Sequence, residues 1–225
     1  MPLTTVRQEI AHRFQEARTF LSAIKTLEQT SPHAAELQVQ KGLFLVLLYG
    51  AFEYSLTRTM IEITVFINSR RVEMSHVSEP LYALALEPQL TSCATVGRDY
   101  KWQRRVELFL KQASSDLAIL HDGPFLTQME NMWANTIQKM FKVFGVSVPA
   151  LYEPRVRQYI DEVVDKRNAV SHGRESAANI GQAYTTGGLQ NLLDELTKQV
   201  QYVLSVFEVH LLSKAFVKAA FQGLY

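Results

Sequence analysis

The chain has 225 residues, of which 47% are apolar and 20% charged, and its formal net charge is +1. This length can bury a large core, this composition excludes a disordered chain, and the near-zero charge excludes a uniformly basic surface, so any nucleic-acid contact has to be local. Cys93 is the sole cysteine, which excludes an intramolecular disulfide and predicts a reducing, cytoplasmic setting.

Val6, Ile10, Phe14, Ala17, Leu21 and Ile24 recur at three- and four-residue steps and predict one amphipathic helix over 6–27, capped by Thr4 or Thr5. The opening MPLTTVRQEI lacks the apolar stretch of a secretory signal. After a break at Ser31 and Pro32, a longer helix is predicted from about Ala34 to Ile67. Its middle is apolar on nearly every face, which places it at the centre of a bundle. Its longest apolar run, 42–52, falls well short of the ~20 residues that span a bilayer, so no membrane association is expected.

The stretch 68–97, with Pro80 and Pro88 around LYALALE, predicts loops about a short helix. A third long helix is expected over 100–120, stopped by His121, Asp122, Gly123 and Pro124, and a fourth from near Thr127 to Gly145. A loop over 146–154 leads to a fifth helix over 155–171. The small, polar stretch 176–188 reads as a loop before a last helix over 189–221. Six or seven helices with short connections predict an all-α helical bundle forming one domain over 1–225. In it, 1–30 is an N-terminal helix packed on the rest and 68–125 a more irregular insertion.

Two charges sit on apolar stripes, where an unpaired charge is too costly to occur by accident. Val156, Ile160, Val163 and Val164 define one stripe, and Arg167 falls within roughly 20° of Ile160 on it. Asp161, Glu162, Asp165 and Lys166 belong to the opposite, solvated face. In the long central helix Glu53 lies among Tyr49, Leu56 and Met60 and needs a buried partner. A structural ion pair between Glu53 and Arg167 is the simplest account. His172 adds to it, because Gly173 is a natural helix stop that would leave the imidazole at the helix C-terminus, free to turn toward the arginine. An arginine that can fork onto a phosphate beside a histidine that can move protons is the minimum equipment for cleaving a phosphodiester through the RNA's own 2′-hydroxyl.

The segment RNAVSHG, from Arg167 to Gly173 late in an all-α chain, resembles the Arg-x4-6-His motif of the HEPN superfamily, with the preferred polar residue present as Asn168. LLYGAFEYSLTR, 47–58, is similar to the central helix of prokaryotic toxin-like members. The resemblance implies a homodimer whose two motifs form one composite ribonuclease site. It also implies that Arg167 binds and polarises the scissile phosphate and that His172 serves as general acid or base or holds the phosphate. By the same resemblance Asn168 would orient the pair and Glu53 would fix Arg167. It implies no cofactor, RNA as substrate, and an antitoxin or defence-system protein as a further partner. A tyrosine two residues past the histidine, modified in one branch, is replaced here by Arg174. Many members of the superfamily are inactive and bind RNA, a nucleotide or a partner protein only.

For RNA contacts, Arg155, Arg157 and Arg174 flank the motif. Lys101, Arg104 and Arg105 lie in a stretch that interleaves basic residues with Tyr100 and Trp102, a pattern suited to phosphates and stacked bases. A solvated helix face with Trp102 partly in the core explains that second stretch more simply. Glu9 with His12 and Glu73 with His76 show a Glu-x-x-His spacing used in di-iron bundles. His12, however, falls opposite its helix's apolar stripe, and Glu73 and His76 lie in irregular chain, so no metal site is expected.

Overall fold

The structure, a computed structural model, describes residues 2–31, 35–127, 129 and 131–225, apart from the side chain of Pro124. Among these residues the chain forms ten α-helices and no β-strand. The first, α1 (Thr4–Thr30), buries Val6, Ile10, Phe14, Ala17, Leu21 and Ile24, the stripe expected from their spacing. The second, α2 (Ala35–Ser69), is the axis of the molecule, and α1, α8, α9 and α10 pack around it. The expected break at Pro32 and helix start at Ala34 lie outside the described residues.

Between α2 and the next long helix come α3 (Tyr82–Ala85), α4 (Glu87–Thr95) and α5 (Lys101–Gln112). The helix expected to reach residue 120 ends at Gln112, because the chain after it is pulled into extended pairing. The Met74 N–H donates to the Asp116 carbonyl and the Ala118 N–H to that of Val72, each at 2.8 Å. The Asn68 carboxamide clamps the same segment, accepting from the Leu120 N–H at 2.8 Å and donating to its carbonyl at 3.2 Å. Neither α4 nor α5 contains a buried residue, so together they form an arm on the bundle.

The expected breaker sequence starts a helix instead. In α6 (Gly123–Thr127), Pro124 occupies the first turn, where its missing N–H has no helical acceptor to lose. The helix α7 (Ala134–Val143) then begins seven residues later than expected. Its first N–H, of Ala134, donates to Asp161 Oδ1 at 3.0 Å. Asp161, expected to be merely solvated, therefore caps a neighbouring helix from α8 (Val156–Ser171).

The stretch read as a loop before the last helix contains α9 (Ala177–Gly181), and its small residues have a packing reason. A Cβ on Gly42 would collide with the Ala177 carbonyl, and one on Gly181 with that of Gln38, so α9 and α2 cross backbone against backbone. The last helix, α10 (Thr186–Leu212), stops nine residues before the expected end. Lys214 adopts φ +54°, the chain reverses, and Phe216 and Val217 are buried on its return. The Ser78 N–H donates to the Phe216 carbonyl at 3.0 Å and the Lys218 N–H to that of His76 at 2.8 Å, tying the tail to the irregular segment. No helix among the described residues is long and apolar enough to cross a membrane.

Candidate functional site

Where α8 crosses α2, three polar side chains lock together around one aromatic ring. Tyr49 and Glu53 are four residues apart on α2 and so share a face. The Tyr49 hydroxyl donates to Glu53 Oε1 at 2.6 Å and accepts from the Met132 N–H at 3.1 Å. Arg167, from α8, lays its guanidinium carbon 3.6 Å above the centre of the Tyr49 ring, with Nη2 3.6 Å from the same Glu53 oxygen. Burial, reinforced by the hydrogen bond given to Glu53, pushes the Tyr49 hydroxyl up to about 12, so it stays a donor.

The expected Glu53–Arg167 pair is thus present, but it is looser and less buried than its position on two apolar stripes implies. A charge-assisted hydrogen bond is usually 2.7–2.9 Å long. At 3.6 Å the guanidinium is held mainly by the ring face, leaving its donors weakly committed. The Arg167 side chain is 17% exposed and that of Glu53 37% exposed. Glu53 also lines a groove on α2, together with Gly50, Tyr54, Thr57, Arg58 and Ile61.

Beyond Arg167 the helix ends as its sequence suggests. Ser171 is the last residue of α8, His172 has φ −94° and ψ 6°, and Gly173 is left-handed at φ +67°. The N–H groups of His172, Gly173 and Arg174 return to the carbonyls of Asn168, Val170 and Ala169 at 2.9–3.1 Å, a glycine-terminated helix end. The imidazole is exposed and makes no hydrogen bond or ion pair among the described residues. Asn168 Oδ1 and Arg167 Nε are buried without hydrogen-bond partners, so Asn168 Oδ1 does not orient either motif residue in this chain.

The remaining expected contacts divide. Arg174 lies next to His172 with Nη2 3.7 Å from Asp165. Arg155 pairs with Glu153 at 2.8 Å, and Arg157 donates to Asn135 at 2.7 Å, both on the surface at the opposite end of α8. Lys101, Arg104 and Arg105 are on the arm. Arg104 is paired with Glu107 at 2.7 Å and Arg105 lies 4.7 Å over Trp102. Trp102 is 73% exposed and contributes nothing to the core, contrary to the bland expectation for it. α5 packs beside residues 74–76, past the end of α2, whereas Tyr49 is twenty residues back along that helix, about 30 Å at 1.5 Å per residue. The three arm cations are therefore not brought to Arg167.

The acidic and histidine pairs with Glu-x-x-His spacing are engaged elsewhere. Glu9 accepts from Tyr54 and Arg58, each at 3.0 Å, while His12 faces water. His76 stacks on Phe221 at 3.8 Å with Nδ1 2.9 Å from the Tyr225 hydroxyl. Among the described residues no group of three or more His, Cys, Asp or Glu side chains converges as a metal site. The residue that sequence reasoning placed only as an apolar neighbour is Tyr49. Its signal was a hydroxyl four residues before a misplaced carboxylate, a spacing that lets the two bond.

A model of the family described as RiboL-PSP-HEPN matches residues 8–208, from α1 to α10 and including all of α2 and α8. Neither the search of curated proteins nor that of solved structures gave a match.

Proposed function

The chain belongs to the RiboL-PSP-HEPN family, and from that membership we propose that it is an endoribonuclease acting without a metal ion, in which Arg167 and His172 do the chemistry. The family supports the coarser statement, an RNase-type or RNA-binding module. The single observation that carries the finer one is the contrast at the end of α8. A guanidinium is clamped in place on an aromatic ring, and five residues later an imidazole is exposed and unpaired.

In the proposed reaction the 2′-oxygen attacks phosphorus as its proton passes to a base, and the bond to the 5′-oxygen breaks as that oxygen gains a proton. The products are a 2′,3′-cyclic phosphate and a 5′-hydroxyl. Arg167 donates to the non-bridging oxygens, where negative charge grows in the transition state. Glu53 and Tyr49 hold its plane. His172 supplies one of the two proton transfers. In a homodimer with the two motifs facing each other, the partner's His172 supplies the other. A toxin or antiphage effector role fits such an activity.

The test is incubation of purified protein with mixed RNA in EDTA, beside His172→Ala and Arg167→Ala. Cleavage that persists in EDTA, leaves cyclic phosphate ends and disappears in both variants supports the proposal. RNA that is bound and never cut identifies a binding module instead. If Arg167→Ala only unfolds the chain and His172→Ala changes nothing, the Tyr49–Glu53–Arg167 cluster is structural.

A further inference from the structure

Buried polar groups normally find hydrogen-bond partners, and the imidazole of His210 finds none. A cleft lies beside it. Positions 202, 205, 206, 209 and 210 stand at i, i+3, i+4, i+7 and i+8 and so share one face of α10. That face and the loop over 145–148 form the two walls of a cleft of about 420 Å³, lined among others by Val146, Val148, Tyr202, Val206, Val209 and His210. The loop does not close onto the helix because both its ends are pinned. Gly145 turns with φ +74° against Pro80, and the Val146 N–H donates to the Phe141 carbonyl at 2.8 Å. At the other end the Tyr202 hydroxyl donates to the Pro149 carbonyl at 2.6 Å. Gln199 donates to the Ala150 carbonyl at 2.8 Å and accepts from the Tyr152 N–H at 3.1 Å. The span between these anchors leaves Val148, and Val209 opposite it, exposed. In the last turn of α10, His210 is only 7% exposed and packs edge-on against Phe207. Burial depresses its basicity to about 4, so the ring is neutral and carries one proton. Nε2 is sealed from solvent without a partner, and Nδ1 has none among the described residues. A buried N–H with no acceptor is costly, which places the proton on Nδ1, the nitrogen that can still be reached.

We infer that this cleft binds a small uncharged molecule with an apolar body and a carbonyl-type oxygen, which accepts the hydrogen bond that His210 Nδ1 has to give. Three observations select this occupant. The volume falls within the roughly 300–1,000 Å³ of small-molecule pockets. Among the described residues that line the cleft there is no Asp, Glu, Lys or Arg, so a charged ligand would lose its water and gain no partner. That excludes a nucleotide or an RNA phosphate and separates the cleft from the ribonuclease site proposed above. Most of its hydroxyls are already committed as donors. Ser205 donates to the Gln201 carbonyl at 2.9 Å, Ser213 to that of His210 at 3.2 Å and Tyr202 to that of Pro149. His210 and the exposed Ser147 are the side-chain donors left. A single unmet donor in a cleft between pinned walls suits a molecule that enters it better than a flat partner surface.

The probe is acetophenone, an uncharged aromatic ketone, titrated into the full chain and followed by NMR of the valine methyls and of the histidine ring nitrogens. The methyl signals of Val146, Val148, Val206 and Val209 should shift and saturate with a dissociation constant on the order of 1 mM. The His210 ring should show its proton on Nδ1. His210→Phe, which keeps a ring and removes the donor, should weaken binding about tenfold. Val209→Trp should weaken it by crowding the rim, and since Val209 touches solvent the thermal midpoint should match the wild type. Benzoate, of similar size and charged, should bind roughly tenfold more weakly than the ketone. Missing or unsaturable shifts, equal affinities of the wild type and a folded His210→Phe, or a preference for benzoate overturn the inference. A proton on Nε2 that the ketone leaves in place overturns it even where His210→Phe does not fold. Cleft signals that move when the protein alone is diluted also overturn it, because they seat a side chain of a second copy there. Ribonuclease activity enters none of these readouts, so the two proposals stand or fall separately.

Discussion

The crossing of α2 and α8 and the arm formed by α4 and α5 both carry arginine against an aromatic ring, yet the two differ in what fixes them. Arg167 on Tyr49 is walled by two long helices, shares Glu53 with the tyrosine hydroxyl, and is anchored through that hydroxyl to the backbone of Met132. Arg105 on Trp102 stands on a helix with no buried residue, over a ring mostly in water. Cation–π contact strengthens with desolvation, from about 0.5–1 kcal/mol when exposed to about 2 when buried. The same pair of residue types is therefore a rigid mount in one place and a loose surface contact in the other. A guanidinium that must meet a phosphate in one orientation needs the first kind of support.

Arg167→Ala should separate the two regions most strongly. It is expected to lower RNA cleavage about a thousandfold and to cost about 2 kcal/mol of stability, limited by the partial exposure of Glu53. Equilibrium urea unfolding and a gel cleavage assay measure the two effects, and an unchanged midpoint would remove the contrast with the arm. His172→Ala tests the mount without disturbing it. Cleavage should fall about a hundredfold or more while stability stays within about 0.5 kcal/mol, because the imidazole is exposed and unpaired.

Acid distinguishes the bundle from the arm as a whole. His210 on α10 is buried, which depresses its imidazole to about 4, with Nε2 lacking a hydrogen-bond partner. Between the ordinary 6.5 and about 4 the unfolded chain binds a proton that the folded chain refuses, so stability declines as pH falls through this window. The loss reaches about 3 kcal/mol. His210→Leu should remove this part of the slope in urea titrations at pH 7 and pH 4.5, and parallel slopes for both proteins would show that His210 is not its source. Hydrogen exchange in the arm should be fast at either pH, since it has no core to lose.

Tyr49→Phe sharpens the account of the mount. The ring remains, but Glu53 loses its donor and the Met132 N–H its acceptor, for a cost of about 1–2 kcal/mol and a reduced cleavage rate with His172 intact. The smallest effect is expected in the arm. Trp102→Ala with Phe109→Ala, both rings being mostly exposed on α5, should lower stability by less than about 0.5 kcal/mol in urea unfolding, and a larger loss would mean that α5 packs on something in solution.

Periodicity alone placed α1, α8 and most of α10, because long helices with a strict apolar stripe have few other ways to bury it, and α2 was placed by a middle apolar on nearly every face, which only the centre of a bundle can bury. It failed where the stripe is short or shared. The segment 113–120 was decided by extended pairing with 72–74, and α9 by contact between Gly42 and Gly181, partners distant in sequence whose small size signals nothing until they meet. The end of α10 was decided by Phe216 and Val217 finding places in the core after a turn at Lys214.

For the site, the sequence by itself determined that Arg167 and Glu53 needed partners and that α8 would end at Gly173. Burial of charge is costly wherever it occurs, and a left-handed helix end favours glycine. Only the tertiary structure decided that the two charges meet over the Tyr49 ring, that the hydroxyl of that ring joins them to Met132, and that Glu53 stays partly exposed in a groove on α2. Those outcomes depend on how two helices cross, and a crossing is set by the packing of the whole bundle.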